Sequence, residues 1–388
     1  MATAFRQGAV PAQRFTFPAG TLEVTVESQS MPLDRLCDFA ARNNAKRGFL
    51  IVSRVLGRHM PTAPSEMQAS FDALAAQILC LEGELPAPVV FVGMAETAIC
   101  LGQGVHAAYR RLSGRTDTLY IHTTRQELDA TVMAGFDEPH SHASSHLLYY
   151  PGSEKDEELL ATARSLVLVD DETSTGTTFV NLAKAMAENM PQLDNITTVV
   201  LTDWSDHGYL GKMPAPTSAV NLLKGSLSWA ANPGFEAPAS AVAERPRALG
   251  KLFSTENFGR LGIQGDPAGV DALADNVHLE CADYDRLLVL GTGEFTYLPF
   301  LLAKALEDRG HQVEVQSTTR SPVHVGGAIK CAMTFNDNYG TPVPNFLYNV
   351  EHDEDRKVII CHETPKFSID PRLVDQLDAA CLYLGDGA

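Results

Sequence analysis

Short unbroken apolar runs alternate with stretches of helical spacing along this chain. In the first half the runs are Phe49-Leu-Ile-Val-Ser53, Pro88-Val-Val-Phe-Val92, Thr118-Leu-Tyr-Ile-His122, Leu166-Val-Leu-Val169 and Thr197-Thr-Val-Val-Leu201. They are too short for helices and lack polar alternation, which predicts strands buried on both faces of a parallel sheet with crossover helices. Phe179, Leu182, Ala183, Met186 and Ala187 recur at spacings of three and four, the stripe of an amphipathic helix directly after the fourth run. The fold class is therefore α/β. Between about Ala231 and Arg247 the chain turns to Ala, Pro and small polar residues, with Pro214 and Pro216 ahead and Pro233, Pro238 and Pro246 inside. This predicts a boundary between a first domain over 1–240 and a smaller α/β domain over 250–388.

The second half restarts the same rhythm with Arg286-Leu-Leu-Val-Leu290, Gln312-Val-Glu-Val-Gln316 and Lys357-Val-Ile-Ile-Cys361. Val92-Gly-Met-Ala-Glu-Thr97 parallels Leu290-Gly-Thr-Gly-Glu-Phe295, and Thr123-Thr-Arg125 parallels Thr318-Thr-Arg320. Phe136–Tyr149 aligns without a gap on Phe335–Tyr348, and Leu168-Val-Asp-Asp-Glu-Thr173 on Ile359-Ile-Cys-His-Glu-Thr364. Matches in one order predict that the second domain is a copy of the first core.

Composition narrows the function classes. The 388 residues exceed one ordinary core. Thirty basic residues against 48 acidic ones leave a net charge of -18, and without a basic block neither nucleic acid nor an anionic membrane surface is an expected partner. Seven scattered cysteines without a CxxC pair suggest neither disulfides nor a zinc knuckle. No apolar run approaches the ~20 residues of a membrane span, and a cytoplasmic location is expected.

Leu166–Thr178 carries the chemistry. A buried strand ends in Asp170-Asp171-Glu172 and a loop of Thr173, Ser174, Thr175, Gly176, Thr177 and Thr178 leads into the helix. Unpaired backbone N–H groups and the positive helix end hold a phosphate there without a basic side chain. The hydroxyls add donors, and the glycine lets the backbone close on the anion. The carboxylates can accept hydrogen bonds from vicinal ribose hydroxyls, so one segment can grip a 5-phosphate and its sugar.

A second turn, Gly93-Met94-Ala95-Glu96-Thr97, also follows a buried strand. Glu96 is unexpected beside an anion unless Mg²⁺ intervenes. Arg54, Arg58 and His59 follow the first run and Arg125 the third, at the carboxyl edge where α/β sites form. Each arginine is either a ligand for an anion or a solvated surface cation. His140, His142 and His146 fall within seven residues of a segment, Thr124–Tyr150, that lacks a clean helical stripe. They suit a mobile lid, a metal site of no established zinc spacing, or plain structural roles.

The Leu166–Thr178 segment resembles the phosphoribosyl pyrophosphate motif of type I phosphoribosyltransferases. With Thr319-Arg-Ser-Pro322 in the second half, nearly the whole chain resembles the phosphoribosyltransferases with a carboxy-terminal TRSP domain associated with bacterial tellurium-resistance (ter) and stress-response clusters. The resemblance implies a parallel sheet flanked by helices, with Asp170 and Asp171 on the ribose hydroxyls and Thr173–Thr178 on the 5-phosphate. It implies pyrophosphate at Gly93–Thr97 with Arg54, Arg58 and Arg125, and a closing lid in which His140 and His142 are candidate acid–base groups. Mg²⁺ would accompany the pyrophosphate, and the substrates would be phosphoribosyl pyrophosphate and a base or nucleotide. A homodimer is left open. Where some relatives place an acid that acts on the base, Ser174 stands here. In the second half Cys361 and His362 replace the acidic pair and Pro365-Lys-Phe-Ser-Ile369 the loop, so that copy is expected not to bind the ligand. The alternative from another class is a sensor of phosphoribosyl pyrophosphate or a nucleotide that does not turn it over.

Overall fold

A computed structural model describes residues 12–42, 48–137, 145–234 and 257–385. The chain opens with β1 (Gln13–Phe17) and β2 (Gly20–Gln29), a single turn α1 (Leu33–Leu36), then β3 (Cys37–Ala41) and β4 (Phe49–Ser53). There follow α2 (Pro64–Leu79), β5 (Val89–Gly93), α3 (Ile99–Ser113), β6 (Thr118–His122), β7 (Val132–Asp137), β8 (Ser145–Tyr149) and α4 (Glu154–Thr162). β9 (Ser165–Thr173), α5 (Thr177–Ala187), β10 (Asn195–Asp203) and β11 (Thr217–Ala231) complete the first half.

Seven strands form one sheet in the order β1-β2-β11-β10-β9-β5-β6. From β11 to β6 all neighbours are parallel, while β2 pairs antiparallel with β11 and β1. Val89–Val92, Leu119–Ile121 and Leu166–Val169 are fully buried, as runs apolar at every position require of strands covered on both faces. One expected strand departs from this scheme. Phe49–Ser53 lies outside the parallel sheet and pairs antiparallel with Cys37–Ala41, its Leu50 and Ser53 only half-buried. A second surprise is Thr124–Tyr150, much of which is regular, because β7 and β8 pair antiparallel. His140 and His142 lie outside the described residues.

The second half comprises α6 (Val270–Glu280), β12 (Arg286–Gly291), α7 (Tyr297–Asp308), β13 (Gln312–Ser317), β14 (Ala332–Asn336), β15 (Pro344–Tyr348), β16 (Arg356–His362), α8 (Pro371–Leu377) and β17 (Ala380–Tyr383). Its parallel sheet runs β13-β12-β16-β17, the order of β6-β5-β9-β10. The agreement extends to single hydrogen bonds. Thr123 N–H donates to Gly93 O at 3.0 Å, and Thr318 N–H to Gly291 O at 3.0 Å. Ala95 N–H donates to Thr123 Oγ1 and Gly293 N–H to Thr318 Oγ1, both at 2.9 Å. Tyr149 Oη accepts from Leu128 N–H at 2.9 Å, and Tyr348 Oη from Val323 N–H at 2.8 Å.

The halves clasp each other reciprocally. Thr62 pairs with Val315 on edge strand β13, and Ile263 pairs with Tyr120 on edge strand β6. Ser317 N–H donates to Gly57 O at 2.8 Å and His122 N–H to Gly259 O at 3.1 Å. Each half thus covers the other's exposed strand edge, which would otherwise present unpaired backbone groups. Phe71 of α2 and Phe300 of α7 meet edge to face with ring centroids 5.2 Å apart, inside one apolar cluster that draws on both halves.

Candidate active site

β9 continues past its apolar run through the acids to Thr173, pairing Asp170 with Val200 and Glu172 with Thr202 of β10. The sheet therefore fixes where the carboxylates emerge, at its carboxyl edge. Gly176 then turns the chain into α5 with φ +68°, a left-handed conformation that costs an ordinary residue energy. A Cβ there would also lie 2.1 Å from the Tyr209 ring. Two independent demands therefore require glycine.

A pocket of about 320 Å³ opens at this edge. One wall is Asp170–Gly176 with Thr178 and Phe179, and another is Met94–Thr97 with Arg125 and His146. Leu50 and Ile51 of β4 and the nearby Arg42 and His59 close a third side. The two loops are tied together, for Met94 N–H donates to Val169 O at 3.1 Å and Thr97 Oγ1 to Asp171 Oδ1 at 3.1 Å. His146 sits within 3.1 Å of Thr123 Oγ1 and 3.4 Å of Arg125 Nη2, its ring stacked on Phe136 at 5.0 Å. Among the described residues no three His, Cys, Asp or Glu side chains are grouped to hold a metal by themselves.

The electrostatics follow from these neighbours. Burial in the pocket wall, then the charge of Glu172, push the Asp171 carboxyl up to about 6, although its edge stays open to the pocket. Burial alone would also raise Glu96, but Arg58, Arg320 and Arg125 hold it below its ordinary value. His59, buried beside Arg58 and Arg42, is pushed down to about 3 and stands neutral.

Several predicted residues take other places. Arg58 is buried, ion-paired with Glu96, and donates to Gly293 O at 2.7 Å and Ser317 Oγ at 2.9 Å. It neutralises the acid and docks the second half rather than lining the pocket. Arg54 is also off the pocket wall, half-exposed and paired with Asp38 at 2.8 Å. Gly93 is buried, where a Cβ would meet the Tyr120 hydroxyl at 2.5 Å, so its contribution is packing. Thr177 is exposed at the helix start, its hydroxyl 3.0 Å from that of Thr175. The second half, which the repeat offered either as a docking face or as completing this site with Arg320 the residue to test, supplies part of the wall. Thr319, Arg320, Ser321 and Val343 line the same pocket; the sequence signals there were the repeat of Thr124-Arg125 as Thr319-Arg320 and the Thr319-Arg-Ser-Pro322 motif.

A carboxylate-bearing strand, a hydroxyl loop at a helix start and three arginines, Arg42, Arg125 and Arg320, thus meet around one pocket at the carboxyl edge of a parallel α/β sheet. The profile of a family described as phosphoribosyl transferase matches residues 36–226, and that of the TRSP domain found C-terminal to it matches 258–377. The chain belongs to this phosphoribosyl transferase family and carries its TRSP domain. No curated protein matches the chain. Solved structures to which the chain is similar include adenine phosphoribosyltransferase from Giardia lamblia with 9-deazaadenine, 17% identical, covering 41% of this chain and 80% of that one, TM-score 0.28. The enzyme from Rhodothermus marinus is 14% identical, with 50% and 96% covered and TM-score 0.32. The enzyme from Trypanosoma brucei with AMP, pyrophosphate and ribose-5-phosphate is 11% identical, with 55% and 86% covered and TM-score 0.33.

Proposed function

We propose that the protein is an enzyme moving a 5-phosphoribosyl group between pyrophosphate and a nitrogenous base. The observation that carries this is the convergence of the β9 carboxylates, the Thr173–Thr178 loop at the start of α5 and the Met94–Thr97 turn around one pocket. The loop amides and hydroxyls bind the 5-phosphate, and Asp170 and Asp171 accept from the ribose hydroxyls. The Met94–Thr97 turn and Arg125 face the pyrophosphate. Glu96 is no obstacle there, because Arg58 and Arg320 offset its charge.

Departure of pyrophosphate leaves positive charge on the ribose ring, so catalysis is positioning and electrostatic stabilisation. Asp170 and Asp171 are oxygen donors of the hard type that suits Mg²⁺ bound together with substrate phosphates, where it would offset the leaving group's charge. Excluding water from the ring falls, in the same proposal, to the segment carrying His140 and His142, acting as a lid over the pocket. A role in a tellurite or stress response comes with the family resemblance and a cytoplasmic location with the scattered cysteines, and both are part of the proposal.

The test is release of pyrophosphate from phosphoribosyl pyrophosphate with Mg²⁺ across a panel of purine, pyrimidine and other nitrogenous bases. Base-dependent release supports the enzyme. Tight binding of phosphoribosyl pyrophosphate without release for any base supports a sensor instead, and absence of binding ends both readings.

A further inference from the structure

We propose that Arg320 of the second half is a pyrophosphate-binding residue of the first half's pocket, so that the TRSP domain completes an active site it does not itself contain. This rests on the phosphoribosyl reading above. Arg320 lines the pocket with its side chain only 10% exposed. Its Nη2 lies 3.3 Å from Asp337 and its Nε 3.8 Å from Glu96 of the Met94–Thr97 turn. A guanidinium carries five N–H donors, so these two contacts leave donors for a bound anion.

The side chain is mounted rigidly. Asp337 is 3% exposed and accepts from Asn345 Nδ2 at 2.7 Å, Thr341 Oγ1 at 2.7 Å, Thr341 N–H at 3.0 Å and Tyr339 N–H at 3.1 Å. A carboxylate so held has little freedom, and it aims the arginine across the boundary between the halves.

Topology explains why a second arginine arrives at this point. Arg320 occupies in its half the place that Arg125 occupies in the first. Each stands three residues beyond an equivalent parallel strand and next to a threonine bridged to a hairpin, Thr124 to Leu147 and Thr319 to Phe346. The reciprocal packing applies each arginine's segment to the other half's turn. Arg125 N–H donates to Glu294 at 2.7 Å, as the Arg320 backbone N–H helps to hold Glu96 ionised.

The equivalent site in the second half is closed. Arg260 forms two bonds with Glu363 at 2.7 and 2.6 Å, and Tyr339 Oη donates to Glu363 at 2.6 Å, all fully or nearly fully buried. With Cys361 and His362 where the acids would stand, that half has no ribose acceptors. Arg320 therefore faces a ligand only in the first half's pocket.

The experiment is calorimetric titration of the full-length protein, wild type, Arg320→Gln and Arg320→Lys, with Mg²⁺-pyrophosphate, phosphoribosyl pyrophosphate and ribose 5-phosphate. A charged hydrogen bond lost to pyrophosphate corresponds to roughly 10- to 100-fold in affinity. Arg320→Gln is expected to lose that much for the two pyrophosphate ligands while ribose 5-phosphate stays within about twofold. Arg320→Lys, which keeps the charge beside Asp337 and preserves the fold, recovers part of it. Pyrophosphate affinity unchanged in Arg320→Gln, or an equal loss for all three ligands in both variants, overturns the inference while leaving the functional reading in place. Wild-type protein that binds ribose 5-phosphate but not pyrophosphate overturns it as well. If the wild type binds none of the three, the functional reading has failed first and takes this one with it.

Discussion

Asp171→Asn should make the protein more stable and a poorer ligand binder at neutral pH. The carboxyl is pushed from its ordinary 3.8 to about 6 by burial and by Glu172, so at pH 7.5 folding holds a charge in a place that disfavours it. The native state binds more protons than the unfolded chain between about pH 4 and 6, so this group's contribution to stability falls as pH rises through that window. A shift of about two units corresponds to ~3 kcal/mol at most, and less in practice because the carboxyl edge meets the pocket. Asparagine removes the charge yet keeps an oxygen for the Thr97 hydroxyl, which donates to Asp171 at 3.1 Å. Urea denaturation should therefore show a gain of roughly 1–2 kcal/mol at pH 7.5 that vanishes at pH 4. Binding should move the other way, because the ribose hydroxyls need the ionised acceptor. The ligand phosphate also titrates near pH 6, so the quantity to follow is the ratio of mutant to wild-type Kd for ribose 5-phosphate. That ratio should be large above pH 7 and shrink below pH 6. A mutant destabilised at pH 7.5, with a Kd ratio flat from pH 5 to 8, would refute the reasoning.

Gly176→Ala combines a left-handed backbone with a 2.1 Å approach to Tyr209; chemical denaturation should show a loss of roughly 1–3 kcal/mol, and an unperturbed variant would mean the loop enters α5 differently. Glu363→Gln keeps one acceptor oxygen for the buried Arg260 but removes its nearer counter-charge, leaving Glu294 at 3.5 Å, and should cost about 3–5 kcal/mol, read by urea titration, while the ligand affinity of the protein that remains folded stays normal. His140→Ala and His142→Ala should cut turnover ~10²- to 10⁴-fold with phosphoribosyl pyrophosphate affinity nearly unchanged; wild-type kcat in both would remove these histidines from catalysis, and stoichiometric zinc lost to chelators would favour a metal role.

Local pattern made much of the fold legible. The runs at 89–92, 119–121, 166–169 and 199–201 are apolar at every position, as suits strands covered on both faces, and each lies in the parallel sheet. Phe49–Ser53 carries the same composition but pairs with Cys37–Ala41, because composition records burial and not the partner that supplies it. The flanking β1, β2 and the far end of β11 were not legible for a related reason. Their register depends on pairing across the length of the chain, as between Ala231 and Gly20.

The site divides along the same line. Leu166–Thr178 could be read from the sequence because strand, acids, loop and helix are consecutive, and their geometry follows from local backbone conformation. Which arginine would face the pocket was decided by long-range charge pairing. Arg58 lies 38 residues before Glu96 and 235 before Gly293, and those partners, not its position after a strand, draw it under the turn. Arg320 reaches the pocket because two similar halves clasp each other's sheet edges. The strand, acids and loop of Leu166–Thr178 and the likeness of the halves are written in consecutive residues, but that one pocket draws side chains from both halves depends on folding, since the bonds that bring them together join residues hundreds of positions apart.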